Sequence, residues 1–93
     1  MRFDDANGRA DAGSLAGLRA LVLGGTGLIG SHVVASLLRR GAAVRVMSRS
    51  AGDAPALRGL SVEIVTGRIE EIDSVRRALD GMDLLFHCAA PYP

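Results

Sequence analysis

The chain has 93 residues and a formal net charge of +1, and all eleven of its basic residues are arginine. This length allows one domain at most, and the small charge predicts neither a nucleic-acid partner nor a membrane partner. The lack of lysine excludes every mechanism that needs a lysine base or Schiff base. Cys88 is the single cysteine, so an intrachain disulfide is excluded and the expected location is the reducing cytoplasm.

Residues 1–17 show no sustained hydrophobic period and are rich in Asp and Gly. This composition predicts a flexible N-terminal leader, followed by one partial domain over residues 18–93. Apolar runs in that domain predict four short strands, at 20–23, 43–47, 62–65 and 83–88. The fourth run holds consecutive large apolar residues, which suits a strand covered on both faces.

Helical patterns separate the predicted strands. One face of the first predicted helix collects five apolar residues: Ile29, Val33, Val34, Leu37 and Leu38. The spacing of Ile72, Val75 and Leu79 predicts a second helix. Gly41 and Gly81 are placed to end the two helices. The alternation of strand and helix predicts an α/β fold with a doubly wound parallel sheet in the order 3-2-1-4.

A glycine-rich turn joins the first strand to the first helix. Gly24, Gly27 and Gly30 lie three residues apart, and Gly25 completes a G-x-G-x-x-G pattern. Glycine there permits a tight turn, close approach to a pyrophosphate and close helix–strand packing, while the helix start attracts the anion. Between an apolar strand and an amphipathic helix, this turn predicts a Rossmann-type dinucleotide site rather than a plain turn. A P-loop is disfavoured because no Gly-Lys-Ser/Thr follows.

The end of the second strand bears on the choice of dinucleotide. It reads Met47-Ser48-Arg49-Ser50, and no carboxylate follows before Asp53. NAD-binding folds place an acidic residue here, which binds the adenosine ribose. Serine hydroxyls and an arginine suit a 2′-phosphate instead. We therefore predict NADP rather than NAD, with Arg49 as a solvated loop residue as the alternative.

Two later loops lie at the same edge of the predicted sheet. Ala89 and Ala90 leave room there for a ribose or a nicotinamide. His87 is a candidate acid or base, but a structural histidine is favoured, and Cys88 is interpreted as a small buried residue. Three acidic residues are predicted to begin the second helix and stabilise its N-terminus rather than bind a metal: Glu70, Glu71 and Asp73.

Four segments in order, at 24–32, 44–49, 62–67 and 85–90, resemble the opening of an extended short-chain dehydrogenase/reductase. The resemblance is to the NAD-dependent epimerase/dehydratase group, near its dihydroflavonol-reductase-like members, and covers about residues 19–92. It implies an NAD(P)-dependent enzyme that acts on a nucleotide sugar, a related sugar, a ketone or an alcohol. The implied cofactor contacts are Gly24, Thr26, Gly27, Leu28, Ile29 and Gly30 at the pyrophosphate, Arg49 at the adenosine phosphate, and Ala89 and Ala90 near the nicotinamide ribose.

One position departs from the family's pattern. The family has Gly-Asp after the third strand, with the aspartate near the adenine amino group, whereas this chain has Gly67-Arg68. Arg68 and Ile69 remain in the predicted cofactor site, and Ile69 is the residue expected to pack on the adenine ring.

Family chemistry uses a serine or threonine and a Tyr-x-x-x-Lys pair, which lie beyond the position equivalent to residue 93. Tyr92 is the single tyrosine of this chain, and only Pro93 follows it. We therefore predict no catalytic residue here, and interpret the chain as the N-terminal, NAD(P)-binding half of an oxidoreductase, epimerase or dehydratase. Two alternatives stay open: a nonenzymatic dinucleotide-binding or redox-sensing module, and an inactive remnant.

The predicted strand order leaves the fourth strand at an edge of the sheet. Its apolar residues, Leu84 to Phe86, would then offer unpaired backbone groups and apolar surface to another chain. We therefore predict either docking onto a missing C-terminal portion or self-association through this edge.

Overall fold

A computed structural model of the chain describes residues 14–24, 27–49, 57 and 59–88. In chain order its elements are β1 (Arg19–Leu23), α1 (Leu28–Arg39), β2 (Ala43–Ser48), β3 (Glu63–Thr66), α2 (Ile72–Leu79) and β4 (Leu84–His87). The four strands form a parallel sheet in the order β3-β2-β1-β4. The predicted α/β class and strand order are confirmed.

Strand β1 lies inside the sheet and is buried on both faces. Ala20 and Val22 belong to an apolar cluster that includes Val34 and Leu37 of α1. Leu21 and Leu23 belong to a second cluster, which includes Ala78 of α2. Because successive side chains of a strand point to opposite faces, the two helices cover opposite faces of the sheet. This is the doubly wound arrangement.

Helix α1 packs on the sheet through a narrow stripe. Its buried residues are Gly30, Val34 and Leu37, which follow one another at helical spacing. Ile29 was predicted on this face, but its side chain is 71% exposed. The prediction was wrong because Gly30, not Ile29, lies against the sheet in the first turn. Among the described residues, no helix is long and apolar enough to cross a membrane.

Helix α2 also buries a face other than the predicted one. Ile72 is 67% exposed and Leu79 is also exposed, whereas the small residues Ser74 and Ala78 are buried. Val75 is half-buried and packs against the second cluster, as expected. The small residues form the buried face of the helix, and the larger apolar residues at its two ends stay outside the contact.

Strand β4 lies at an edge of the described sheet and pairs with β1, as predicted. Leu84 and Phe86 pack against the α1-side cluster. Leu85 is opposite Leu21 in register, on the other face, and is 49% exposed. The expectation of cover on both faces is therefore wrong for the part of the chain that the structure describes.

Most of the predicted leader, residues 1–13, lies outside the described residues. Within its last part, the Leu15 N–H donates to the Arg40 carbonyl oxygen at 2.7 Å, just after α1 ends. The Leu15 side chain packs against the α1-side cluster. A flexible leader over residues 1–17 stays a prediction.

Candidate functional site

The sheet register brings the predicted site residues to one edge. Leu23, the last residue of β1, is opposite Met47 and His87, and Ser48 is opposite Thr66. Because the four strands are parallel and paired in this register, their carboxyl ends lie at the same edge of the sheet. The loops that follow them carry the glycine turn, Arg49, Arg68 and the residues after His87. This is the edge at which open α/β sheets bind ligands.

The turn after β1 exposes the backbone of a helix start. Gly24 has a φ of +81°, a left-handed conformation that suits glycine, and its carbonyl oxygen accepts the Gly27 N–H at 3.4 Å. Gly27 is the N-cap of α1, and no side chain caps it. The first bond of the helix runs from the Ser31 N–H to the Gly27 oxygen at 2.9 Å. The N–H groups of residues 28–30 therefore lie outside the helical ladder.

These amides are suited to an anion. The first turn of α1 carries no acidic residue, so no side-chain carboxylate offsets the positive end of the helix dipole. Among the described residues, a Cβ built at Gly27 would meet no atom nearer than the Gly24 oxygen, at 3.9 Å, so the space at the Gly27 Cβ position is open. Leu28 and Ile29 contribute backbone rather than apolar side-chain packing here, because both side chains are exposed. The turn fits a pyrophosphate group.

Three charged side chains meet beyond β2 and β3. Arg49 Nη2 donates to Glu70 Oε2 at 3.0 Å, and Arg68 Nε lies 3.8 Å from Glu70 Oε1. The pKa of the Glu70 carboxyl is lowered chiefly by a hydrogen bond from the residue's own backbone N–H; desolvation opposes this, and the charges of Arg49 and Arg68 lower the pKa further. Arg49 is thus exposed but paired, and two arginines rather than one lie at this place.

Gly67 lets the chain leave β3 close against β2. Its N–H donates to the Ser48 carbonyl oxygen at 2.9 Å. A Cβ at Gly67 would lie 2.7 Å from Met47 Sδ and 3.0 Å from Ser74 Cβ, so no other residue fits without displacement of its neighbours. This close contact fixes the position of the backbone from which the Arg68 and Glu70 side chains extend.

Other predicted site residues are placed as follows. Ser48 is half-buried at the end of β2, and Ile69 is exposed in the turn before α2. Thr26, Ser50, Ala89 and Ala90 lie outside the described residues, so their predicted contacts stay predictions.

The two chemically reactive candidates occupy ordinary structural positions. His87 is exposed at the end of β4. The Cys88 N–H donates to the Leu23 carbonyl oxygen at 2.8 Å, and its half-buried side chain packs against the α1-side cluster. Among the described residues, no group of three or more His, Cys, Asp or Glu is placed to hold a metal ion.

The interpretation of the acidic residues near α2 needs one correction. The helix begins at Ile72 with Glu71 at its N-cap, and Asp73 lies in its first turn as predicted. Glu70 instead precedes the helix and pairs with Arg49. Sequence reasoning missed this pair, although opposite charges directly after neighbouring strands were a signal for it.

Residues 20–93 match the NAD dependent epimerase/dehydratase family. The chain belongs to this family. The resemblance to extended short-chain dehydrogenase/reductases is thereby confirmed, and the family implies a nicotinamide dinucleotide as cofactor. The helix-start amides and the open glycine turn described above fit the diphosphate of such a cofactor.

Three similar proteins illustrate the relationship. The chain is 42% identical over 73 residues to "Sterol demethylase protein B" of Methylococcus capsulatus, covering 78% of this chain and 22% of that protein. It is 42% identical over 72 residues to a "3 beta-hydroxysteroid dehydrogenase/Delta 5-->4-isomerase" of Mycobacterium tuberculosis, covering 77% of this chain and 19% of that protein. A short-chain type dehydrogenase/reductase from Mycobacterium ulcerans aligns with a TM-score of 0.76 and 26% identity, over 86% of this chain and 35% of that one. The chain therefore spans about a fifth of the length of these two curated relatives.

Proposed function

We propose that this chain is the dinucleotide-binding part of an oxidoreductase of the epimerase/dehydratase family, and that its cofactor is NADP. The proposal of dinucleotide binding is carried by the N-terminus of α1. Its first backbone N–H groups lie outside the helical ladder, next to the glycine turn and at the ligand-binding edge of the sheet. A bound nicotinamide dinucleotide supplies hydride chemistry. The chain's own residues bind and orient it.

The preference for NADP is supported by the residues after β2. Arg49 follows the strand directly and is exposed, and an acidic residue that would bind the ribose 2′-hydroxyl of NAD is lacking at 47–49. An arginine there binds a 2′-phosphate through charge-assisted hydrogen bonds. The same phosphate would be repelled by the carboxylate that NAD-binding folds place at this point.

For the whole protein we propose hydride transfer at a hydroxyl or ketone carbon of a substrate that other parts of the protein bind. The support is the printed names of the relatives, which include a 3 beta-hydroxysteroid dehydrogenase at 42% identity. The Tyr-x-x-x-Lys pair expected from the family would have to lie outside this chain. Sugar epimerisation is the less favoured reaction, because the curated relatives described above are named for sterol and steroid chemistry.

Calorimetric titration of the full 93-residue chain with NADP and with NAD tests both the binding of a dinucleotide and the preference for NADP. We expect NADP to bind at least about tenfold more tightly than NAD, because charge-assisted hydrogen bonds to the 2′-phosphate stabilise that complex alone. In Arg49→Gln the ratio of the two dissociation constants should fall toward one. Arg39→Gln removes the same charge from the exposed last turn of α1 and should keep the ratio of the wild type.

Two results would contradict the proposal in different ways. A chain that is folded by circular dichroism but binds neither dinucleotide would contradict the binding function. Equal affinity for the two, or tighter binding of NAD, would contradict the preference for NADP alone.

A further inference from the structure

Two arginines from neighbouring strands meet on one carboxylate at the ligand-binding edge. Arg49 approaches Oε2 of Glu70 at 3.0 Å, and Arg68 approaches Oε1 at 3.8 Å. Each carboxylate oxygen therefore has its own guanidinium neighbour. The cluster carries two positive charges and one negative charge, so it keeps a net positive charge.

The backbone fixes the starting points of these side chains. Arg49 directly follows Ser48, and Arg68 directly follows Gly67, whose N–H is bonded to the Ser48 carbonyl oxygen at 2.9 Å. The Glu71 N–H donates to the Arg68 carbonyl oxygen at 3.0 Å, which closes the turn that carries Glu70. The two arginines are therefore held near one another by main-chain hydrogen bonds, whatever anion lies between them.

A phosphate monoester is a stronger ligand for this pair than the carboxylate. It carries about −1.5 to −2 charges at neutral pH and three acceptor oxygens, whereas a carboxylate carries one charge and two oxygens. The Glu70 pair is exposed to solvent, with 60% of the Glu70 side chain accessible, and exposed ion pairs are weak. A phosphate can therefore displace Glu70 from the two arginines.

We propose that Glu70 tunes cofactor specificity as a competing anion: it occupies the position between Arg49 and Arg68 when no cofactor is bound, and it is displaced when a 2′-phosphate binds there. Arg68 is then the second phosphate ligand. This inference rests on the proposed function, because it needs NADP to lie along this edge.

The test is calorimetric titration of the full chain and of Glu70→Gln with NADP, NAD and inorganic phosphate. Removal of the competing charge should tighten NADP binding by roughly threefold to tenfold, because one exposed ion pair and the repulsion between Glu70 and the phosphate are both lost. The preference for NADP over NAD should rise by the same factor. Asp73→Asn is the matched control: it removes one exposed carboxylate, paired with Arg76, from the first turn of α2. It should leave the affinities for both dinucleotides unchanged.

The variant Arg68→Gln tests whether Arg68 is the second phosphate ligand. It should weaken NADP binding on the order of tenfold and lower the NADP-to-NAD preference, because one charge-assisted bond to the phosphate is lost. Unfolding curves check that both variants stay folded, which is expected at exposed positions.

The outcomes separate this inference from the proposed function. If the wild type prefers NADP but Glu70→Gln leaves that preference unchanged or lowers it, or if Arg68→Gln leaves it unchanged, the inference is overturned and the function stands. If Asp73→Asn raises the preference as much as Glu70→Gln does, only net charge matters, and the inference is overturned. It is also overturned if inorganic phosphate binds Glu70→Gln as tightly as NADP does. If the wild type shows no preference, the NADP proposal fails first.

Discussion

Gly67 is a single position at which packing limits the site. Its missing side chain leaves space that Met47 and Ser74 fill, and both of these neighbours are buried. The residue also donates the hydrogen bond that ties the end of β3 to the end of β2. A shift of this residue would move Arg68 and Glu70 with it.

We predict that Gly67→Ala lowers the free energy of unfolding by about 1–3 kcal/mol, the usual cost of overpacking a filled interior. Urea denaturation followed by circular dichroism measures this. Ser61→Ala, at an exposed position before β3, should change the same quantity by less than about 0.5 kcal/mol. The packing argument is contradicted if Gly67→Ala is as stable as the wild type.

The sequence predicted where the charged site residues lie, but not how they pair. Arg49 and Arg68 were assigned to loops after strands because apolar runs mark the strand ends. Their common partner Glu70 depends on the register between Ser48 and Thr66, and register is a tertiary property that local spacing does not contain. The same limit explains why Glu70 was assigned to the helix start.

Strand β2 and helix α2 are joined through one arginine. Arg45 Nε donates to Glu63 Oε1 at 2.8 Å, and Nη1 donates to the carbonyl oxygens of Ala78 and Asp80 at 2.8 and 3.0 Å. Its side chain is only 18% exposed. Arg45 therefore satisfies carbonyl groups at the end of α2, which have no partner within the helix.

We predict that Arg45→Met lowers the free energy of unfolding by about 1–2 kcal/mol, because the part-buried carbonyl group of Ala78 and the exposed one of Asp80 lose a charged donor. The matched control is Arg77→Met on the exposed side of α2, which should cost less than about 0.5 kcal/mol. Thermal and urea unfolding measure both. Equal losses in the two variants would show that the bonds made by Arg45 do not hold the helix to the sheet.

The strands were easier to predict from the sequence than the buried faces of the helices. Short apolar runs mark buried strands directly, so all four were found within about two residues of their observed ends. The helices were also found, but Ile29 and Ile72 were assigned to buried faces and are exposed. The buried positions are Gly30, Ser74 and Ala78 instead, and hydrophobic periodicity gives little weight to such small residues.

In the part of the chain that the structure describes, β4 lies at an edge of the sheet. Leu85 is half-exposed there, and β1 is the strand that pairs with β4 in the described part of the chain. Edge strands with apolar side chains attract other strands. This chain covers about a fifth of the length of the curated relatives described above. We predict that this edge pairs with a further part of the protein or with a second copy.

We predict that the purified chain self-associates at high concentration, and that Leu85→Lys shifts it toward the monomer, because charged residues block edge pairing. Sedimentation velocity over a range of concentrations measures this. Leu79→Lys, which places the same charge on exposed α2, should leave the association unchanged. A wild-type chain that stays monomeric at every concentration would contradict the prediction.

Gly27→Asp tests whether the backbone amides at the start of α1 bind a diphosphate. Gly27 has the extended conformation of an N-cap and open space at its Cβ, so aspartate should cap the amides and keep the helix stable. The same carboxylate occupies and repels the anion position, so NADP affinity should fall on the order of a hundredfold. Ser61→Asp adds the same charge before β3 and should bind as the wild type does. A folded Gly27→Asp chain that binds NADP with wild-type affinity, measured by calorimetry, would contradict the account.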